Sequence, residues 1–530
     1  TNDQLSLGDH SQKLAWYTSF NGNRSDYGLA PPVEPVRHDA ANGYGGFASL
    51  LYNRTPQDQL RLITQLRRDF FQIPYDPDAN SIGNSQYYSF GLRDSQNETD
   101  GVAAFTWLHS FRPSVVLQGS PFYHYNQADY DSPAGDFPVA TTVDRTSNYA
   151  GGQLSLSLQP SHGPLTHNTV QGGIYTFGQH DNNLFGASFN DGSGTLPIHE
   201  ADSTGGSLFE EYLSDNFKAT SWLTLTAGVR QSRFSGQFVE DYTAPRVGVA
   251  LLVPRLGWVV RGFYGRFYQP PPLLTVCGIS TTASTAANCA VKNYAIESGA
   301  SFAPLHGERD EEHQFGVQIP FRGWLLDADT FKNRINNFLD HSNIGDSSIY
   351  IPVTIDGALV RAWELTLRSP RIAHLGQAHL AYSNQIAEQR GAITGGLICA
   401  PAGDPACDAG FIYTPVDHDQ RNTLNVGFNA VLPHGFTAST NVYYGSGFTN
   451  GGYNPGGAPA DPRYPNQYLP AHTTFDLALG KSIGENVSAS VTAINVTNRR
   501  VLLDNSVTFG GFHYNDPRQI YAELRYRFKF

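Results

Sequence analysis

Few residues in this chain have the types and spacing that chemistry requires. "GERDEEH" (Gly307 to His313) crowds acidic side chains together and could hold a cation or a basic ligand group, although charge runs of this kind are usually solvated faces. "FNDGSGT" (Phe189 to Thr195) has the flavour of a calcium loop, but one Asp among glycines reads better as a turn. The 17 histidines are scattered, and His374 and His379 are spaced to face opposite sides of a strand. There is no Gly-x-Ser-x-Gly elbow, no His-Glu-x-x-His and no phosphate loop. The sequence therefore points to no catalytic set, no metal site and no cofactor, and is not read as an enzyme.

The better candidates for chemistry are binding residues. Residues 446–470 carry Phe448, Tyr453, Tyr464 and Tyr468 with Arg463 among them; residues 122–130 carry Tyr123 and Tyr125 beside Phe122, His124 and Tyr130. On outer loops such rings stack on planar or sugar-like ligands while an Arg takes a carboxylate. The same residues could equally pack the loops against one another.

The four cysteines form two close pairs, Cys277 with Cys289 and Cys399 with Cys407, each in a Gly/Ala/Pro/Thr-rich stretch. Two small loop disulfides are expected, which implies an oxidising compartment. No Cys-x-x-Cys or clustered His supports a metal reading.

What must position these residues is a set of strands. The chain has 53 Gly, 32 Pro and only 15% charged residues, with 12% aromatic residues, which speaks for many strands and turns rather than disorder. A net charge of −12 would repel phosphate backbones, so nucleic acid is not an expected partner. No apolar run is long enough for a transmembrane helix, although a barrel crosses a membrane with alternating strands whose average looks soluble. Alternation recurs throughout. "TLNVGFNAVL" sets Leu424, Val426, Phe428, Ala430 and Leu432 against Thr423, Asn425, Gly427 and Asn429, and "LTLTAGVR" and "VSASVTA" do the same. The terminal "YAELRYRFKF" places Leu524, Tyr526, Phe528 and Phe530 on one face and Glu523, Arg525, Arg527 and Lys529 on the other. A final strand this regular is built to be paired, as closing a barrel requires.

Turns supply the second signal. "VPRLGW", "IPFRGW" and "LPHGF" share one plan, in which Pro stops the ladder, Gly permits reversal and an aromatic opens the next strand. Trp222, Trp258, Trp324, Phe436, Phe528 and Phe530 are thus expected in one aromatic girdle at a membrane interface. Short turns are expected near 53–58, 110–113, 160–167, 219–221, 254–257, 321–323, 433–435 and 481–486. Long links are expected at 22–43, 71–98, 128–145, 178–203, 271–307, 389–420 and 446–470. The expectation is an all-β, antiparallel, up-and-down transmembrane barrel spanning 1–530, with short turns at one end and long loops at the other. It predicts about 20 strands, or up to 22, most of ~10–14 residues.

The order of several motifs resembles TonB-dependent outer-membrane receptors. "LFEEYLSDNFKATSWLTLTAGVR" (Leu208 to Arg230) resembles their aromatic-acidic hairpin, and "APRVGVALLVPRLGWVVRGFYGRFYQPPP" (Ala244 to Pro272) their "PRxGxxY…RxxYGxxFxxP" segment. "VRAWELTLRSP" (Val360 to Pro370) has Ala362 where Gly is usual, and "INVTNRR" before the terminal strand has Val496 in place of Leu. "PQDQLRLITQLRRDFFQIP" (Pro56 to Pro74) is similar to the large-loop subgroup with a carboxypeptidase-regulatory-like domain. The resemblance implies energy-coupled uptake of a scarce solute, such as a siderophore or glycan, across a Gram-negative outer membrane. Its implied partners are outer-membrane lipid, a small-molecule or oligosaccharide ligand, the barrel assembly machinery through the C-terminal strand, and the TonB complex. The last would act through an N-terminal plug and TonB box that the resemblance leads one to expect outside these residues, along with the first one or two strands. Two other classes remain open from the residues alone: a passive porin or adhesin barrel, which would conduct without TonB, and a secreted all-β glycan-binding protein, which would be soluble without detergent.

Overall fold

The computed structural model describes residues 1–34, 36–81, 90–137, 139–160, 166–236, 238–273, 301–343, 350–398, 412–454, 457–506 and 511–528. All four cysteines and Phe530 lie outside them, so the two disulfides expected above are not described.

The described chain is a meander of antiparallel strands. The first half comprises β1 (Asn2–His10), β2 (Leu14–Ser25), β3 (Ala41–Asn53), β4 (Asp58–Gln72), β5 (Ser95–Arg112), β6 (Val115–Asp131), β7 (Val139–Leu158), β8 (Asn168–Phe189), β9 (Ile198–Lys218), β10 (Leu223–Ser235), β11 (Val239–Val253) and β12 (Trp258–Gln269). Then follow β13 (Ser301–Ala303), β14 (Glu308–Phe321), β15 (Trp324–Asn343), β16 (Tyr350–Arg368), β17 (Gly376–Ile398), β18 (Thr414–Pro415), β19 (Asn422–Leu432), β20 (Phe436–Gly445), β21 (His472–Ile483) and β22 (Val487–Ile494). A short pair, β23 (Leu502–Asp504) and β24 (His513–Tyr514), stands apart before β25 (Gln519–Tyr526).

One 23-stranded sheet holds all but that pair. Each long strand pairs with the next, stepping over the short pieces from β12 to β14, β17 to β19 and β22 to β25. Among the described residues no pairing joins β1 to β25.

Seven of the short turns expected from sequence fall at reversals between consecutive strands, with β5 running on to Arg112 and β21 to Ile483, and most of 160–167 lies outside the described residues. In two of them consecutive residues take the left-handed backbone, Arg322 and Gly323 (φ 48° and 83°) and His434 and Gly435 (φ 61° and 76°). That geometry matches the twist of the flanking strands, which is why Gly recurs at the second site. Turns at 11–13 and 369–375 complete the short-turn end; the first has neither Pro nor Gly, and the second has Pro370 but no aromatic after Gly376.

The strands are longer than the ~10–14 residues expected for a bare crossing. β8 has 22 residues and β17 has 23. At ~3.3 Å per residue and ~45° tilt, such a strand rises roughly 50 Å, about twice a ~25 Å apolar band. Residues 178–203, expected as a long link, are consequently strand up to Phe189 and again from Ile198, and "GERDEEH" is the first half of β14 rather than loop. The missing signal is that the strands run on past the apolar band, where no hydrophobic alternation is needed.

Parity holds across the ladder. Leu225, Val229, Val426, Leu477, Leu479 and Leu524 stand exposed on the outer face. The inner face carries the Arg67–Asp69, Arg230–Glu210 and Arg261–Asp329 pairs. Buried apolar clusters are small and lie near the long-loop end, as around Leu469, Leu502 and Phe512. The sheet is a wall and not a packed core.

Candidate functional site

Inner-face residues two apart on one strand share a side, so alternating polar residues build networks. On β4, Arg67 forks onto Asp69 with two contacts of 2.6 Å and also reaches Asn23 of β2 at 3.1 Å. His124 of β6 meets Asp100 of β5 at 2.6 Å. Arg230 of β10 bridges at 3.1 Å to Glu210 of β9, which also accepts from the Ser232 hydroxyl at 2.6 Å. Arg261 of β12 pairs with Asp327 and Asp329 of β15 across β14. Glycine at 316 makes this possible, since a Cβ there would collide with Asp329 and Arg261.

A cavity of about 770 Å³ is lined by the Arg67 network together with Pro270 to Leu273. Arg67 and Arg145 face Asp69, Glu98, Asp100 and Asp181 there, with Tyr149 and Gln179. Carboxylates outnumber guanidinium groups, so the lining favours hydrogen-bond donors and cationic edges on whatever enters. The sequence signal for this site is the period-two spacing of Gln65, Arg67 and Asp69 within "ITQLRRD", which puts charge on an inner face.

At the long-loop end, Glu240 of β11 is buried and accepts hydrogen bonds from Tyr268 Oη at 2.8 Å, His306 Nδ1 at 2.9 Å and Gly307 N at 3.0 Å. Arg309 comes to within 3.9 Å. One carboxylate thus ties both ends of the 270–307 link to β11. No sequence pattern marks Glu240, because its partners are about thirty to seventy positions away.

The expected binding residues divide. Phe448 and Tyr464 pack against Leu469, Leu502 and Phe512, which is loop core. Tyr468 donates to Asp419 Oδ2 at 2.8 Å, and burial, with Asp419 beside it, pushes its phenol up to about 12. Arg463 is held by Asp461 at 2.7 Å, with its guanidinium over the Tyr464 and Phe512 rings. Tyr453 is 38% exposed and is the most open ring of the four in 446–470. Tyr123 and Tyr125, expected in an outer loop, instead lie within β6 on its outer face, bonded to Asn148 and Gln127. "FNDGSGT" is a turn, in which Asp191 accepts from Ser193 N at 2.9 Å. Among the described residues no cluster suited to a metal ion occurs.

The family model described as "TonB dependent receptor-like, beta-barrel" matches residues 16–498. The chain belongs to that family. No curated protein sequence matches the receptor. Solved structures do. The ferric yersiniabactin uptake receptor FyuA from Yersinia pestis superposes with a TM-score of 0.74 at 12% identity, over 100% of this chain and 78% of that one. The ferripyoverdine receptor of the outer membrane of Pseudomonas aeruginosa gives 0.68 at 13% identity, over 99% and 69%. The copper transporter OprC gives 0.71 at 10% identity, over 99% and 78%. At these identities the likeness is one of fold.

The receptor's aromatic residues sort by level. Trp222, Trp258, Trp324 and Phe436 each stand just past a short turn, and Phe528 lies at the same end, where Arg527 N donates to Asn486 O. Trp16 joins them two residues into β2, a position the turn plan had not indicated.

Proposed function

We propose that this receptor is the barrel of an outer-membrane importer that takes up a scarce, polar solute with energy relayed by TonB. The observation that carries this is the division of the wall. The outer face is apolar and exposed through the rows nearer the short turns, while the inner face is lined with charge pairs and a polar cavity of about 770 Å³. Such a sheet is stable only with hydrocarbon outside and water inside. The aromatic residues past the short turns then mark the periplasmic interface, and the long-loop end faces outward.

The solved neighbours named for iron chelates and copper support a small metal-bearing solute as the cargo. The acidic bias of the cavity favours a ligand presenting donors or positive edges. Tyr453 and the rim of the 446–470 loop would meet it first. The barrel's own work is to select at the mouth and to keep the lumen wet.

Uptake of labelled iron chelates, copper and oligosaccharides by cells carrying the full receptor tests the reading. It expects saturable uptake of one class that stops when the proton gradient is collapsed. Ion conductance by the purified full receptor in a planar bilayer without TonB would instead make it a passive pore.

A further inference from the structure

Most charged groups lining the inner cavity of about 770 Å³ are engaged. Asp69 is forked by Arg67 at 2.6 Å, and Asp100 meets His124 at 2.6 Å. Glu98 accepts from Gln96 Nε2 at 2.6 Å. Two groups of opposite sign are left over. Asp181 of β8 is 2% exposed and its Oδ2 accepts from Gln179 Nε2 at 2.7 Å, but its Oδ1 is buried without a partner. Arg145 of β7 lines the same cavity and makes no ion pair or hydrogen bond among the described residues.

These two do not satisfy each other. Asp181 stands opposite Ser147 in register, and Arg145, two positions along β7, stands opposite Asn183. Diagonal neighbours of this kind are roughly 7–8 Å apart. Asn183 shares a face with Asp181 and also keeps a buried Oδ1 without a partner. An orphaned buried acceptor costs free energy that a donor arriving from elsewhere restores. One side of the cavity is formed by Pro270 to Leu273, and Leu273 is fixed by packing on Leu208 and Phe234. The orphan atoms therefore belong to a preformed pocket.

Height says from which side the missing partner comes. Arg145 and Asp181 each lie thirteen residues from the short-turn ends of their strands, Leu158 and Asn168. That is roughly 30 Å along the membrane normal, past a ~25 Å apolar band and toward the long loops. We propose that this cavity recognises a dipolar solute, with an ammonium group on Asp181 beside the Asn183 carbonyl and a carboxylate on the Arg145 guanidinium. An ammonium brings donors to acceptors that lack them, and the guanidinium fork takes a carboxylate edge. A purely cationic solute would leave Arg145 uncompensated, and a purely anionic one would be repelled by Asp181 and Glu98. The charged ends of an extended dipeptide, roughly 7 Å apart, span the two positions. The inference rests on the import reading for the side from which solute arrives, and adds the chemistry of what is held.

Saturation-transfer NMR on the purified full receptor in detergent tests it, with alanyl-alanine and its N-acetylated and C-amidated forms as probes. The free dipeptide should bind, and either cap should raise Kd about tenfold or more. Asp181→Asn should erase the preference for the free amine and keep that for the free acid. Arg145→Gln should do the reverse. A fold defect would erase both preferences together, so the crossed pattern belongs to contact with the ligand. Equal binding of all three probes by the unaltered receptor, or binding of none, would overturn the proposal, a readout that needs no variant to fold. It would show that another part of the full chain already satisfies Asp181 and Arg145. An unchanged preference in either folded variant would overturn it as well. No proton gradient is needed for binding, so failure here leaves energised uptake standing, and discrimination among probes without energised uptake would sink only the import reading.

Discussion

The Tyr468 hydroxyl donates to Oδ2 of Asp419 at 2.8 Å, and Arg421 donates Nε to the same phenolic oxygen at 2.6 Å. Asp419 is 1% exposed and also accepts from Ala387 N at 2.8 Å. The contact therefore pins the 446–470 loop to the middle of β17 at Ala387. A ring proposed at first sight for ligand stacking is here a fastener for the mouth.

Tyr468→Phe keeps the ring beneath the Arg421 guanidinium but removes the donor to a buried carboxylate. It should cost about 1–3 kcal/mol of local stability. Hydrogen exchange across 446–470 should rise severalfold, with strands β19 and β20 unchanged. Unaltered exchange would show that Arg421 and Ala387 satisfy Asp419 alone.

Gly447 has φ +97°, and a Cβ there would lie 1.8 Å from the Leu469 carbonyl oxygen. Gly447→Ala should therefore displace the loop and cost more than about 1 kcal/mol, from strain and lost bridging together. Faster proteolytic nicking within 446–470, with the barrel still resistant, is the expected readout.

Acidification should tighten the outer loops. Burial, with Asp504 and Asp340 nearby, lifts Asp417 to about 6, and burial lifts Asp39 to about 6 against the lowering effect of the Leu29 and Gly28 amides. In both, the folded chain holds a proton that the unfolded chain releases near 3.8, so folding is favoured at low pH and loses this contribution as pH climbs toward and past 6. Asp417→Asn should raise the thermal midpoint above pH ~6 and leave it unchanged below pH ~4. A pH-independent difference would contradict burial as the cause.

The wall was legible in the sequence because hydrocarbon imposes a rule on every second residue. "TLNVGFNAVL" and "VSASVTA" place Val426 and Val491 on the outer face as their parity requires. Turns were legible where Pro, Gly and an aromatic follow in close order, as at 321–323, and not at 369–375, where Pro370 and Gly376 are six apart with no aromatic after them and a buried Ser369 hydroxyl accepts from Ala378 N and holds the reversal. Strand length beyond the apolar band is not legible, because there no apolar alternation is demanded, and β8 and β17 run to 22 and 23 residues. The mouth was the least legible. Whether Tyr464 packs or binds depends on Leu469, Leu502 and Phe512 meeting in space, and residue type alone cannot report that.

The central claim is that lipid touches one face of each strand and water the other. Refolding free energy in phospholipid vesicles tests it most directly through single arginines. Val426→Arg and Leu477→Arg, both on the outer face and 38% exposed, should cost about 2–4 kcal/mol each near the bilayer midplane. Thr226→Arg, on the inner face beside Asn216, should change stability by less than about 1 kcal/mol. Equal costs on the two faces would contradict a membrane wall and the import function built on it.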